Sequence, residues 1–493
     1  MRGLKITLKS PTERIKANMD ILALFFFGIT LVFFGLSSHS FTLDEIFSIH
    51  VSKDWPQMIR FLWNKEANMW LYYLILHFWQ SLGTSEFIIR SLPATFAVGS
   101  IPLVFAITKH LFSKKVALIS VLLFVFNIFY IITAQLARGY SLSLFLTLAS
   151  TYFFRRFSKN KYYKLLYILS SALSVYAHFY AGFVILSQIL IAILTKKLKV
   201  YYIAFLSILI FLTPILLSPS IHSHQADWIE KPTLRNLIGT SYVFSGDFPY
   251  LLIIFGLMII FIIPHLVKNI RTPKYTFISL WLITPIISSF LFSLLVKPVF
   301  QSVYFLISLP PFVILEAVAI NMISNKSWKR LLLVTILVLS ILRLSLWYTG
   351  NTRYKWVFSN NEDDYRSATN FIKSNAQQND AIIFYGYYNR LPYEYYSDRN
   401  KLVYSQKDTP EVIDISTAVY DLGGGSKLPE PDIELLSNLD NKRVWLLLRD
   451  SDRGLLNRDQ QLNVIKTALV AKYSQENSYE FPGLKLVLFS DES

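Results

Sequence analysis

The chain has 493 residues, 53% hydrophobic and only 16% charged, with 39 Phe, 29 Tyr and a mean hydropathy of +0.41, which is too oily for a water-soluble multidomain enzyme. The net charge of +16 does not mark a nucleic-acid binder, because Lys and Arg sit in short runs between apolar stretches and form no single basic patch. With no cysteine, disulfides, thiolate metal sites and thiol nucleophiles are all excluded.

A helix rising about 1.5 Å per residue needs about 20 residues to cross the hydrocarbon core. Apolar runs at 20–37, 88–108, 116–134, 139–154, 163–177, 181–195, 201–218, 250–268, 275–296, 301–322 and 331–349 therefore predict about 11 transmembrane helices. The shortest, 163–177 and 181–195, fit a tilted or re-entrant path. The first run follows a basic segment, as in a signal peptide, but is expected to stay as an anchor.

Basic residues collect in alternate connections: before the first run, at Lys109–Lys115, Arg155–Lys164, Lys196–Lys199, Lys268–Lys274 and Lys326–Arg330. The positive-inside rule makes that side cytoplasmic. The stretch 38–87, the turns near 135–139, 178–180 and 297–300, the loop 219–249 and everything after 350 then face outside. The expected location is the plasma (inner) membrane, multi-pass, with a cytoplasmic N-terminus and an extracytoplasmic C-terminal region.

The first outer loop carries TLDEIFS, which puts Asp44 and Glu45 just beyond the first span, where buried charge would be costly in lipid. Two interfacial helices are predicted behind it. One starts at Asp54 with Trp55-Pro56 and repeats Met58, Ile59, Leu62 and Trp63 at helical spacing; the other runs from Asn68 to Leu82 and includes Trp70, Tyr72, Tyr73 and His77. They are expected to wall a cavity.

The strongest remaining polar residues fall on the same rim: Arg138 and Tyr140 in AQLARGYSL, His178 and Tyr180 in YAHFYAGF, and Lys297 in VKPVFQ. Cations beside an apolar groove suit a phosphate joined to a long hydrocarbon tail, since they bind the phosphate and stabilise the charge that develops as it leaves. A carboxylate supplies the base for an attacking hydroxyl or amine. In the loop 219–249, His222, His224 and Asp227 in SIHSHQADW could hold a divalent ion, but a polar loop over the cavity is the expected reading. No cofactor and no divalent metal are expected to be required.

After residue 350 the composition turns polar. DDYRSATNFIKSNA and QQLNVIKTALVAKY read as helices; AIIFYGYY, KRVWLLLRD and LKLVLFS read as strands. Gly423-Gly424-Gly425 lacks the context of a nucleotide-binding loop. The expected division is a transmembrane domain, 1–349, and an extracytoplasmic α/β domain, 350–493.

Five segments resemble a known family: TLDEIFS; NMWLYYLILHFWQSLGTSEFIIRSLPATF; AQLARGYSLSLFLTLAS; YAHFYAGFVILSQ; and KPVFQSVYFLISLPPFVIL. Over most of 20–345 the chain is similar to the membrane-embedded C-superfamily glycosyltransferases of the family 39 type. These depend on dolichyl- or polyprenyl-phosphate sugars and include bacterial relatives of protein O-mannosyltransferases and lipid A aminoarabinose transferases. The resemblance implies that Asp44 is the catalytic base with Glu45 beside it, that Arg138 is part of the lipid-phosphate-binding region, and that His178 and Lys297 fall in motifs bordering the cavity; Tyr140, Tyr180, Tyr72 and Tyr73 are expected to join them in binding substrate. It also implies metal-independent chemistry. Three positions depart from the family pattern: Met69-Trp70 replaces a common Pro-Pro, Leu136 stands where many relatives have Glu, and Val303 where an Arg is common.

The expected activity is transfer of a sugar from a polyprenyl-phosphate donor to a lipid, glycan or protein acceptor, among membrane lipids and without nucleic acid. The alternatives are a multi-span lipid or sugar transporter or flippase, for which Glu316, Pro214 and Pro285 are the features to watch, and a non-catalytic membrane scaffold.

Overall fold

A computed structural model describes residues 19–223, 229–349, 363–377, 380–384, 387–397, 411–414, 443–449 and 458–490. The chain enters through α1 (Met19–Phe33), and the first long connection carries α2 (Leu43–Val51), α3 (Trp55–Asn64) and α4 (Trp70–Trp79). Then follow α5 (Glu86–Leu111), α6 (Lys114–Val125), α7 (Ile128–Ala134), α8 (Tyr140–Phe154), α9 (Lys161–Ala177), α10 (Ala181–Leu194) and α11 (Leu198–Leu216). After α12 (Leu234–Phe244) come α13 (Pro249–Asn269), α14 (Pro273–Leu295), a 3-10 turn at Ser302–Ser308 leading into α15 (Leu309–Met322), and α16 (Lys326–Tyr348).

Each expected apolar segment is helical. Among the described residues six elements are long and apolar enough to cross a membrane, or seven with α6 and α7 taken as one span bent by 61°. The break is chemical: Asn127 accepts the Phe129 N–H with its side chain (2.9 Å) and starts a new helix. The helices α1, α8 and α10 are apolar but shorter, and α9 has 17 residues.

Burial separates the lipid-facing helices from the central one. Only 17% of the apolar window of α13 is buried inside the protein, with Ile253, Leu257, Ile260 and Val267 exposed, whereas the window over Ser302–Met322 is 89% buried. Bare apolar faces of this extent suit a hydrocarbon solvent. Within the bundle Tyr167, Gln188, Ser150 and Ser171 form a buried hydrogen-bonded chain joining α9, α10 and α8. Such polar links hold helices together where apolar contact alone gives no preference over lipid.

Both helices predicted behind the acidic pair form. In α3, Asp54 caps the start by accepting the Gln57 N–H (2.9 Å); Met58 and Leu62 turn inward while Ile59 and Trp63 stay exposed. The second is α4, extended by a 3-10 turn at Gln80–Leu82.

The C-terminal region contains α17 (Tyr365–Asn375), β1 (Asp380–Phe384), α18 (Tyr387–Ser397), β2 (Glu411–Asp414), β3 (Arg443–Arg449), α19 (Arg458–Val470), β4 (Gln475–Phe481) and β5 (Leu484–Ser490). The sheet order is β2-β1-β3-β5-β4, parallel between β1 and its neighbours and antiparallel across β3, β5 and β4. The strand expected over AIIFYGYY stops at Phe384, and its last two tyrosines begin α18 instead. Two strands were not expected, β2 and the polar edge strand β4, which lacks an apolar run. Gly423-Gly424-Gly425 lies outside the described residues.

The stretch before α2 is anchored by one side chain. Arg90, from α5, donates to the carbonyls of Leu36 (2.9 Å), His39 (2.8 Å) and Ser40 (2.9 Å), and grips both oxygens of Glu45 at 2.8 Å. Both partners are buried, so removing one strands the other's charge at a cost of about 3–5 kcal/mol. Arg90→Ala is therefore expected to lower the thermal-unfolding midpoint of the detergent-solubilised protein sharply, and an unchanged midpoint would show that the pair is not structural.

Candidate active site

Helix α2 sets two adjacent carboxylates to different tasks. Thr42 is its N-cap, and Glu45 at the third helical position closes a capping box by accepting the Thr42 N–H (2.8 Å). Successive residues on a helix point about 100° apart, so Asp44 cannot follow Glu45 inward. Glu45 also accepts the Ala137 N–H at 2.9 Å, so its two oxygens are filled by Arg90 and two backbone donors. Burial alone would raise its pKa; Arg90 and the backbone N–H groups outweigh it and hold the carboxyl below its usual range. The expected catalytic pair is thus divided: Glu45 is saturated and structural in its contacts, and Asp44 is the exposed member.

The Asp44 carboxylate enters no hydrogen bond or ion pair among the described residues, while the backbone carbonyl of Asp44 accepts the Ser48 hydroxyl (2.8 Å). The carboxylate charge acts on Arg138, Tyr73, Tyr140, Tyr304 and Glu66, which places these groups around it. Arg138 Nη1 donates to Ser48 Oγ (3.0 Å), one turn beyond Asp44 on α2, and to Tyr73 Oη (3.4 Å); its Nε has no partner among the described residues. Burial opposes the guanidinium charge, but Tyr73, Asp44, Tyr140 and Glu66 more than offset it, so Arg138 is a permanent cation. Tyr72 is fully buried beside Tyr73, with its hydroxyl unpaired among the described residues.

Glu66 was not singled out in the sequence. Its carboxyl accepts the Asn68 N–H (2.9 Å), and burial is the first of the causes raising its pKa, with Arg138 opposing. A second acid near Arg138 therefore comes from Glu66, whereas position 136 holds Leu. Only its acidic charge just ahead of the aromatic run could have flagged it.

Two backbone features bring the segments together. Met69 caps α4 in the left-handed region, φ 63°, which proline cannot adopt; this is the physical reason that the common Pro-Pro pattern fails at this position. Asn68 Oδ1 accepts the N–H groups of Met69 and Phe179, both at 3.1 Å, and so ties the start of α4 to the turn carrying His178. Gly139 lies against that turn as well: a Cβ there would sit 2.7 Å from the Ala177 carbonyl oxygen.

His178 is 3% exposed, packed against Tyr140, Tyr180 and Tyr304. Its Nδ1 accepts the Tyr180 N–H (3.3 Å), which leaves Nε2 carrying the proton of a neutral ring, with no partner among the described residues. Burial first and Arg138 second push its pKa down to about 3. Tyr180 Oη donates to the Val299 carbonyl (2.7 Å) and so docks the late motif, from which Tyr304 reaches the site; Tyr304, next to the Val303 that replaces the common Arg, was not among the expected site residues.

Lys297 makes a different link. It donates to the Ser223 carbonyl (2.8 Å), tying the loop 219–223 to the end of α14, and the groups acting most on Arg138 do not include it. His222 is exposed, while His224 and Asp227 lie outside the described residues. Among the described residues no group of three or more His, Cys, Asp or Glu side chains could hold a metal ion.

No family model and no curated protein matches the sequence. Solved structures do match. ArnT from Cupriavidus metallidurans bound to undecaprenyl phosphate aligns with a TM-score of 0.62 at 11% identity, over 96% of this chain and 98% of that chain. The Archaeoglobus fulgidus oligosaccharyltransferase tethered with an acceptor peptide aligns with a TM-score of 0.51 at 9% identity, over 96% of this chain and 74% of that one. The same archaeal enzyme in complex with an inhibitory peptide and a dolichol-phosphate gives 0.51, also at 9% identity, over 97% and 74%. The chain shares the fold of ArnT and of the archaeal oligosaccharyltransferase. This is the fold that the five sequence segments implied, recovered at an identity too low for sequence comparison to find.

Two outcomes follow from the geometry. Gly139→Ala forces the 138–140 and 177–178 turns apart and is expected to lower stability, read as the unfolding midpoint; a wild-type midpoint would mean the turns can part freely. For His178 the folded pKa lies below the unfolded value near 6.5, so the unfolded state binds the extra proton and stability falls as pH drops below about 6.5. Between pH 7 and pH 5 this amounts to about 2 kcal/mol, a loss that His178→Gln should reduce when unfolding is compared at the two pH values.

Proposed function

We propose that this protein is an integral-membrane glycosyltransferase. It moves a sugar from a polyprenyl-phosphate donor to a lipid, glycan or protein acceptor at the non-cytoplasmic face, with Asp44 as general base. The observation that carries the reading is the exposed, unpaired Asp44 carboxylate beside the half-buried cation Arg138. Support comes from the shared fold: ArnT was solved with undecaprenyl phosphate and the archaeal enzyme with dolichol-phosphate.

In this scheme Arg138 and the Nε2–H of His178 bind the phosphate that joins sugar to lipid. Asp44 removes the proton from the acceptor hydroxyl or amine as that atom forms the new bond to the anomeric carbon. The bond from the anomeric carbon to the phosphate oxygen breaks, and polyprenyl phosphate leaves with the electron pair, its charge met by Arg138. Tyr73, Tyr140, Tyr180 and Tyr304 wall the site, with Tyr72 behind Tyr73, and the hydrocarbon tail stays in the bilayer. Glu66, whose pKa burial raises, is a second carboxyl beside Arg138. The chain runs through the membrane from a cytoplasmic N-terminus, and the region after 350 stands outside as a separate domain. Lys297 acts through the loop it anchors.

Purified protein incubated with a panel of radiolabelled polyprenyl-phosphate sugars and membrane extract as acceptor tests this directly. Asp44→Asn is expected to lower transfer by about 10²–10⁴-fold, and equal transfer by the two proteins would remove Asp44 from the mechanism. The reaction needs no divalent ion, so EDTA should leave the wild-type rate unchanged; abolition by EDTA and recovery with a metal ion would contradict that part of the proposal.

A further inference from the structure

The stretch before Asp44 is held from two sides. On one, Arg90 takes the carbonyls of Leu36, His39 and Ser40. On the other, Arg366 at the start of α17 takes the two between them, Nη1 donating to Ser37 (3.2 Å) and Nη2 to Ser38 (3.1 Å). Five consecutive carbonyls are thus bound by two guanidinium groups, one from the helical bundle and one from the C-terminal α/β unit.

Glu86, the first residue of α5, links the two sides. Its Oε2 receives Arg366 Nη1 at 2.7 Å, and its Oε1 receives the Tyr396 hydroxyl at 2.6 Å. The same hydroxyl accepts the Phe41 N–H at 2.7 Å and the Ser40 Oγ–H at 3.3 Å. Tyr396 is 7% exposed and Glu86 9%, so the hydroxyl's one donor and two acceptor positions are all used in a nearly dry environment. Burial, then Glu86, raises the pKa of Tyr396, which keeps the proton on the hydroxyl. Tyr395 adds a bond to the Thr84 carbonyl and an edge-to-face contact with Phe41 at 5.4 Å, and α18 packs on α2 itself.

We infer that Glu86, Arg366 and Tyr396 are positioning residues through which the C-terminal unit sets the backbone that aims Asp44. None of the three is in contact with Asp44; they act through residues 37–41, which lead directly into the N-cap of α2. A catalytic carboxylate displaced by about 1 Å can cost about 100-fold in rate, so the unit is a working part of the site. The inference rests on the reading of Asp44 as base.

The test uses full-length protein in detergent, wild type against Tyr396→Phe, which keeps the ring packing and removes the hydroxyl. Hydrogen–deuterium exchange of peptides covering residues 36–51 reads the loop without reference to chemistry, and unbound Phe41 should exchange faster. Transfer from polyprenyl-phosphate sugars should show kcat down about 10-fold with KM and the Kd for undecaprenyl phosphate within about twofold of wild type. Glu86→Gln, which keeps an acceptor for Tyr396, should be intermediate. Wild-type exchange over 36–51 in Tyr396→Phe would overturn the inference, as would faster exchange with unchanged kcat. If exchange rises but the wild type transfers no sugar, the loop is held as inferred and it is the proposed reaction that fails.

Discussion

The Glu45–Arg90 ion pair is the interaction on which the site depends. Two charges buried this deeply repay their desolvation only if every remaining lone pair and proton is used. Here that condition forces the architecture: Glu45 needs the N–H groups of Thr42 and Ala137, and Arg90 needs the carbonyls of residues 36, 39 and 40. The first connection, the turn before α8 and the start of α5 are joined in one network. The helix that carries Asp44 and the turn that carries Arg138 therefore have a fixed relation before any substrate arrives.

That network explains how neighbouring acids in one short motif come to differ. Glu45 has its charge stabilised and its oxygens filled, and Asp44, turned about 100° around the helix, keeps an open carboxylate. Around it stand a permanent cation in Arg138, a neutral imidazole in His178, and in Glu66 a second carboxyl whose pKa burial raises. Such a set matches a reaction in which one proton is removed on the acceptor side while negative charge appears on a phosphate.

The helical bundle was legible in the sequence because span length and apolar run are nearly the same quantity. Each of the 11 expected segments coincides with helix, but 116–134, expected as one span, is broken at Asn127. Candidate site residues were legible as polar groups at segment ends, which is why Asp44, Arg138, Tyr140 and His178, which the structure brings together, could be named beforehand. What the sequence could not carry was direction: nothing in TLDEIFS says which carboxylate turns inward, and nothing in VKPVFQ says that Lys297 bonds Ser223 while Tyr304 faces His178. Glu66 and the clamp by Arg366 and Tyr396 depend on contacts between distant segments, and β4 escaped notice because a polar edge strand has no apolar signature.

The central claim is that Arg138 and Asp44 form the two sides of one lipid-phosphate sugar site. An experimental structure with undecaprenyl phosphate bound tests it most directly. The account predicts the phosphate within hydrogen-bonding distance of Arg138 and His178 Nε2, with Asp44 facing the position of the missing sugar. A phosphate bound elsewhere, for example among Arg155 and Arg156 at the opposite end of α8, would contradict it.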